Sequence, residues 1–144
     1  MERCGLVSKT TSVLRTIADA GHTHPQTSLL SAILGEMTRR AGSVTVKGSV
    51  AYFSQSSWVL SATIRENILF GHSFDAAFYA RVLEACALGP DLKQFAAGDQ
   101  TEGGEKGIGL SGGQRARLAL ARAVYSRADI YLLDDALCEV EDRA

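Results

Sequence analysis

Leu110-Ser111-Gly112-Gly113-Gln114 decides the reading of this chain. It follows a glycine-rich stretch in which Gly98, Gly103, Gly104, Gly107, Gly109, Gly112 and Gly113 fall within sixteen positions. It is followed at once by Arg115-Ala116-Arg117-Leu118-Ala119-Leu120-Ala121-Arg122-Ala123-Val124-Tyr125, a run of strong helix formers. Ser111 is a natural N-cap for that helix. A capped start with two glycines presents a hydroxyl and free N–H groups to the outside, and the helix dipole adds partial positive charge. Such a start is an anion site, with phosphate as its commonest occupant. An isolated Ser-Gly-Gly would be an ordinary helix start, so the neighbourhood carries the argument.

Shortly after the helix comes Ile130-Tyr131-Leu132-Leu133-Asp134-Asp135. Four apolar residues bounded by polar ones predict a central strand buried on both faces. Its two carboxylates then fall at the C-terminal end, where α/β sheets place ligand chemistry. Anion-binding helix start, helix, buried strand and carboxylate pair, in that order, are much more specific than any one alone.

With those elements in place, the chain resembles the nucleotide-binding domain of an ABC transporter. Leu110 to Gln114 matches the family signature and Tyr131 to Asp134 its Walker B strand. Gly48-Ser49-Val50-Ala51-Tyr52-Phe53-Ser54-Gln55, Arg65-Glu66-Asn67-Ile68-Leu69-Phe70-Gly71, Ala85-Cys86-Ala87-Leu88, Glu105-Lys106-Gly107 and Ala121-Arg122-Ala123-Val124-Tyr125-Ser126 are similar to the first such domain of multidrug-resistance-associated exporters, subfamily C. The similarity runs from about Thr27 to Asp135. It implies an α/β fold: a P-loop NTPase-like ABC ATPase core with an inserted helical subdomain at about 56–126, incomplete at both ends. Residues 1–26 are then a divergent segment in place of the phosphate loop, and 27–144 a partial nucleotide-binding domain.

The resemblance also implies a ligand, ATP with Mg2+, and roles. Gln26, Thr27 and Ser28 occupy phosphate-loop positions, and Thr27 supplies the hydroxyl on the Mg2+ side. Taken alone, Thr27 also reads as a plain N-cap. Leu110, Ser111, Gly112, Gly113 and Gln114 bind nucleotide held by a second nucleotide-binding domain. Gln55 touches Mg2+ or the attacking water and senses the membrane domain, and Asp134 holds Mg2+. Asp135 takes the general-base position, where fully active members carry the longer Glu. The transmembrane domains of an exporter are the other implied partner, and their coupling helix meets the family's counterpart of Ser56 to Gly71. The implied activity is ATP-driven export of organic anions or drug-like substrates.

The chain departs from the family pattern upstream. The loop Gly-x-x-x-x-Gly-Lys-Ser/Thr cradles phosphates with backbone N–H groups and a Lys. In register with Thr27 stand Ala20-Gly21-His22-Thr23-His24-Pro25-Gln26. Gln26 lacks the Lys charge and Pro25 has no N–H to give. Gly5-Leu6-Val7-Ser8-Lys9-Thr10 imitates the loop with too short a spacing. Downstream, Ala136-Leu137-Cys138-Glu139-Val140-Glu141 departs from the family's D-loop. Neither a switch histidine nor an adenine-stacking aromatic is identifiable. These departures favour a second reading, a non-catalytic remnant that contributes its signature helix or binds partners.

Composition sets outer bounds. The chain has 144 residues, 46% hydrophobic, with net charge −1. That gives no electrostatic case for nucleic acid, and no sustained heptads suggest the coiled-coil arms of chromosome-maintenance ATPases. Cys4, Cys86 and Cys138 are odd in number and far apart, which fits a reducing compartment. His22-Thr23-His24 lacks the partners of a metal site. No apolar run approaches the roughly 18 residues of a spanning helix. The expectation is a soluble chain, held at the cytoplasmic side of a membrane when part of a transporter.

Along the chain, Thr27 to Met37 predicts a helix with Leu29, Leu30, Ile33 and Leu34 as its apolar stripe. Gly42 to Phe53 predicts two strands with a turn at Lys47-Gly48. Ser73 or Asp75 caps a helix reaching about Leu88, which Gly89-Pro90 stops, and Asp91 to Phe95 adds a helical turn.

Overall fold

The computed structural model describes residues 25–104 and 109–134. The chain divides between Lys47 and Gly48 into two compact units.

In the first unit, α1 spans Pro25–Leu34. Pro25 stands at the first helical position, where its fixed φ suits the helix and its missing N–H is no loss. The helix ends three residues before the expected Met37. Gly35 adopts φ +81, its N–H donates to Ala32 O at 3.3 Å, and Glu36 N–H donates to Ser31 O at 3.0 Å. This is a Schellman stop, which glycine makes without steric strain. The strand expected at Gly42 to Lys47 does not form. A strand needs a ladder partner, and among the described residues this segment has none.

The second unit begins at Gly48, whose φ of +110 turns the chain into β1, Val50–Phe53. Strand β2, Ile130–Leu133, pairs with it in parallel, Val50 opposite Ile130 and Phe53 opposite Leu133. Parallel neighbours need a long crossover, and the chain between them supplies helices. These are α2 (Ile64–Leu69), α3 (Ala76–Ala85), the short α4 (Gly89–Leu92), a 3-10 turn at Gly98–Gln100, and α5 (Gly112–Tyr125). The expectation that β2 is central and buried on both faces is corrected. Among the described residues it pairs with β1 alone, and Tyr131 and Leu133 are 42% and 47% exposed while Leu132 is buried.

The core lies among the helices. Ile64 and Ile68 of α2, Tyr79 and Val82 of α3, Cys86, Leu88 and Leu110 pack against Leu118, Ala121 and Tyr125 of α5. Helix caps hold this arrangement, the one at Thr63 not named from sequence. Thr63 and Glu66 close a reciprocal capping box on α2. Asp75, not Ser73, caps α3 by accepting from Phe78 N–H. The helix ends at Ala85 rather than Leu88, and Pro90 sits inside α4, which begins at Gly89. Tyr125 ties the far end of α5 to that cap: its hydroxyl donates to Ser73 O at 2.9 Å and accepts Asp75 N–H at 2.8 Å.

Candidate functional site: the start of helix α5 and the ends of the parallel strands

Ser111 caps α5 in extended conformation, with φ −64 and ψ 163. Its hydroxyl accepts Gln114 N–H at 3.2 Å, and Gln114 Oε1 accepts Ser111 N–H at 2.9 Å. This capping box satisfies two of the helix-start donors. The N–H groups of Gly112 and Gly113 have no intrahelical acceptor, and the hydroxyl proton of Ser111 remains free to donate. Ser111 and Gly112 are exposed and Gly113 is half-buried. A Cβ built on Gly112 would meet nothing within 4 Å, so the chain's own packing does not require glycine there. Leu110 is buried in the helical core and anchors the motif from behind.

Three charged residues missed in the sequence reading surround this start. Arg115 folds back so that Nη1 donates to Leu110 O at 2.7 Å, leaving a cation beside the free amides. Arg117 forks onto Asp91, Nε to Oδ2 at 2.7 Å and Nη2 to Oδ1 at 3.0 Å. Gln114 Nε2 donates to the same Oδ1 at 3.4 Å. Asp91 is 2% exposed. The available signal was Arg117 three positions after Gln114, one helical turn along the same face.

The sheet delivers Gln55 and Asp134 to the same end. Register places Phe53 opposite Leu133, so Gln55, two residues on, and Asp134, one residue on, leave the same C-terminal edge. Gln55 is exposed. Asp134 is buried, its N–H donates to Phe53 O at 2.9 Å, and its Oδ2 accepts the Tyr52 hydroxyl at 3.4 Å. A carboxylate oxygen at a strand end is a hard-cation ligand by its chemistry. Asp135 lies outside the described residues, as do Glu105 to Gly107, Cys4, Cys138 and the upstream glycine-rich imitation at Gly5 to Thr10.

Thr27 and Ser28 sit on α1 in the first unit. Because α1 starts at Pro25, Thr27 is the third helical residue, and its reading as an N-cap is corrected. Ser28 is fully buried. The backbone of Gln26 is the second residue of the same helix.

A second feature lies behind α5. Arg122 is buried, and burial pulls its guanidinium down to about 10. It donates to Asn67 O at 2.9 Å, Asn67 Oδ1 at 2.8 Å and Trp58 O at 3.3 Å. Trp58 and Phe70, about half exposed, meet edge to face at 5.7 Å. With Tyr52, Phe53 and Arg122 they line a cavity of about 220 Å³. Both rings fall in Ser56 to Gly71, whose apolar residues the sequence alone left open between satellite core and partner surface; the structure leaves these two exposed. Among the described residues no helix is long and apolar enough to cross a membrane, and no cluster of metal-ligating side chains occurs.

The family model described as ABC transporter matches residues 26–138. Metal resistance protein YCF1 of Saccharomyces cerevisiae is 58% identical over 117 residues, covering 81% of this chain. ATP-binding cassette transporter abc2 of Schizosaccharomyces pombe is 59% identical over 116 residues, and ATP-binding cassette sub-family C member 3 of Homo sapiens 57% over 116, each again over 81% of the chain. The chain spans about 8% of the length of these curated relatives.

Proposed function

The chain belongs to the ABC transporter family, and on that footing we propose that it is part of an ATP-binding cassette domain serving export of organic anions or drug-like substrates across a membrane. One observation carries the reading. The capped start of α5 offers two free amides, a free hydroxyl proton and Arg115 around a glycine whose side-chain direction is open.

ATP would supply the transferable γ-phosphoryl group, and Mg2+ would neutralise charge on its oxygens. The residues present fit such a ligand at α5. Ser111, Gly112 and Gly113 close on the phosphates of nucleotide held by the phosphate loop of a second nucleotide-binding domain. Leu110 and Gln114 hold that surface in shape from the protein side. Gln55 and Asp134 fit Mg2+ through oxygen donors at the strand ends, and Asp135 follows as the general base. By the family resemblance, Thr27 takes the Mg2+-side hydroxyl position, with Gln26 and Ser28 next to it in sequence. The start of α1 fits a phosphate poorly, because Pro25 has no N–H and Gln26 no charge, and nothing here is routed through nucleotide held there. We read residues 56–126 as the inserted helical subdomain. The Trp58–Phe70 ledge is its docking surface for a coupling helix of the transmembrane domains, which holds the domain at the cytoplasmic face of the membrane.

The poor fit at Pro25 and Gln26 favours a second reading, in which the chain is non-catalytic and contributes only its signature helix. Titration of the purified chain with Mg-ATP tests the shared element. A charge-assisted hydrogen bond contributes about 1.5–3 kcal/mol, so loss of the Lys and of one amide leaves little binding below millimolar. Micromolar affinity would overturn the reading of the α1 start.

A further inference from the structure

We propose that Asp91 is the positioning residue of the α5 start, because it dictates which way the Gln114 amide faces. The consequence for a phosphate rests on the reading above; the positioning itself is a property of this chain alone.

Asp91 reaches α5 from α4, a different element, and is 2% exposed. Its Oδ2 takes Arg117 Nε, and its Oδ1 takes both Arg117 Nη2 and Gln114 Nε2. A carboxylate only accepts, so the side of Gln114 that faces Asp91 must be the NH2 group. That leaves Oε1 turned toward Ser111, where it accepts the cap N–H at 2.9 Å. With the amide reversed, NH2 would confront the Ser111 N–H, donor against donor, and the oxygen would confront the Asp91 carboxylate. Both contacts would be repulsive. The buried charge therefore selects one amide orientation and with it the closed capping box. The box fixes the Ser111 hydroxyl as acceptor toward Gln114 N–H, so its proton points away from the helix. A neutral residue at position 91 would weaken that selection, leaving the Ser111 N–H alone to hold the amide and loosening the setting of the outward hydroxyl and glycine amides.

The test exchanges donor and acceptor across the contact. Asp91→Asn removes the charge and with it one of the two contacts that oppose reversal, leaving only the Ser111 N–H to select the orientation. Asp91→Asn with Gln114→Glu restores a single polarity, since the amide introduced at position 91 donates while the carboxylate introduced at position 114 accepts on both sides. The readout is hydrogen exchange of the Ser111 amide in the nucleotide-free chain, referenced to Ala121 in the middle of α5. Asp91→Asn should speed Ser111 exchange roughly tenfold, the factor one hydrogen bond commands, with Ala121 unchanged. The double variant should return it close to the parent rate. Ser111 exchange unchanged in Asp91→Asn, or equally raised in both variants, would overturn the proposal. Should Asp91→Asn fail to fold, recovery of the fold in the double variant supports the contact, and a double variant that is also unfolded refutes it. Because no nucleotide is present, failure here leaves the nucleotide reading standing, and the reverse holds as well.

Discussion

The guanidinium of Arg122 lies 3.9 Å from the centre of the Trp58 ring. One side chain thus joins the last turn of α5 to the exposed aromatic ledge. Arg122 also satisfies Asn67, a fully buried residue whose amide nitrogen donates to the carbonyls of Leu60, Ala62 and Thr63. Hydrogen bonds to a charged donor contribute about 1.5–3 kcal/mol each. Arg122→Ala should lower stability by about 3 kcal/mol or more, since it leaves buried acceptors unpartnered. Arg122→Lys should recover little, because an ammonium cannot fork onto Asn67 and lie flat on Trp58 together. Urea denaturation of the three proteins measures this; an Arg122→Lys variant as stable as the parent would contradict it.

Asp129 and Gly48 give the second expectation. Ser49 donates N–H and hydroxyl to Asp129 Oδ2, both at 2.8 Å, clamping together the residues that immediately precede the two parallel strands. Those bonds hold the Asp129 carboxyl below its ordinary range. A Cβ on Gly48 would lie 2.8 Å from Asp129 Cβ, at a φ of +110. Gly48→Ala should cost about 1–3 kcal/mol through backbone strain alone. Adding Asp129→Gly, which removes that Cβ, should relieve the collision but not the strain, so the two losses should not add. Strict additivity in a double-mutant cycle would contradict the contact.

Acid should destabilise the second unit in a defined window. Backbone and hydroxyl hydrogen bonds from Thr63 hold Glu66 below its ordinary value, and the Phe78 amide and Arg127 do the same for Asp75. Burial pushes Asp99 up, but Arg65 and Tyr79 outweigh it and the net direction is down. A carboxylate depressed on folding stabilises above its unfolded pKa and loses that contribution as pH falls through the folded value. Melting temperature should therefore hold from neutrality to about pH 4, near the ordinary carboxylate pKa, and fall below it. Asp99→Asn should lower the plateau and flatten the acid slope. An unchanged slope would remove Asp99 from the account.

Cys86 is buried at the end of α3, and burial pushes its thiol up to about 11. Only the thiolate reacts. In the folded chain at neutral pH, Cys86 should stay unlabelled by iodoacetamide and become labelled in urea. Mass spectrometry locates the label; rapid labelling without denaturant would contradict the packing of α3 on α5.

The caps were legible because they are local. Ser111 and Asp75 each announce a helix within four residues, and the hydrogen bonds that follow are set by sequence spacing. The strand at Ile130 to Leu133 was legible from its apolar run, but its pairing with β1, 80 positions away, was not. Strand formation at Gly42 to Lys47 was misread because alternation describes a strand only where a ladder partner is present. The Asp91–Arg117 pair and the Arg122–Asn67 bonds span 26 and 55 positions, and no local pattern encodes such distances. The same holds for Tyr52, whose hydroxyl reaches Asp134 across 82 positions.

The central claim is that the helix start at Ser111 serves nucleotide held by another domain, while the start of α1 contributes little. Vesicle ATPase activity of a full transporter carrying this segment tests it most directly, with Gly113→Asp and Gln26→Ala compared side by side. Gly113→Asp brings a carboxylate against the incoming phosphate charge in a poorly solvated place and should abolish transport-coupled hydrolysis. Gln26→Ala should leave activity near the parent level. Tolerance of Gly113→Asp, or loss of activity in Gln26→Ala, would contradict this division of labour.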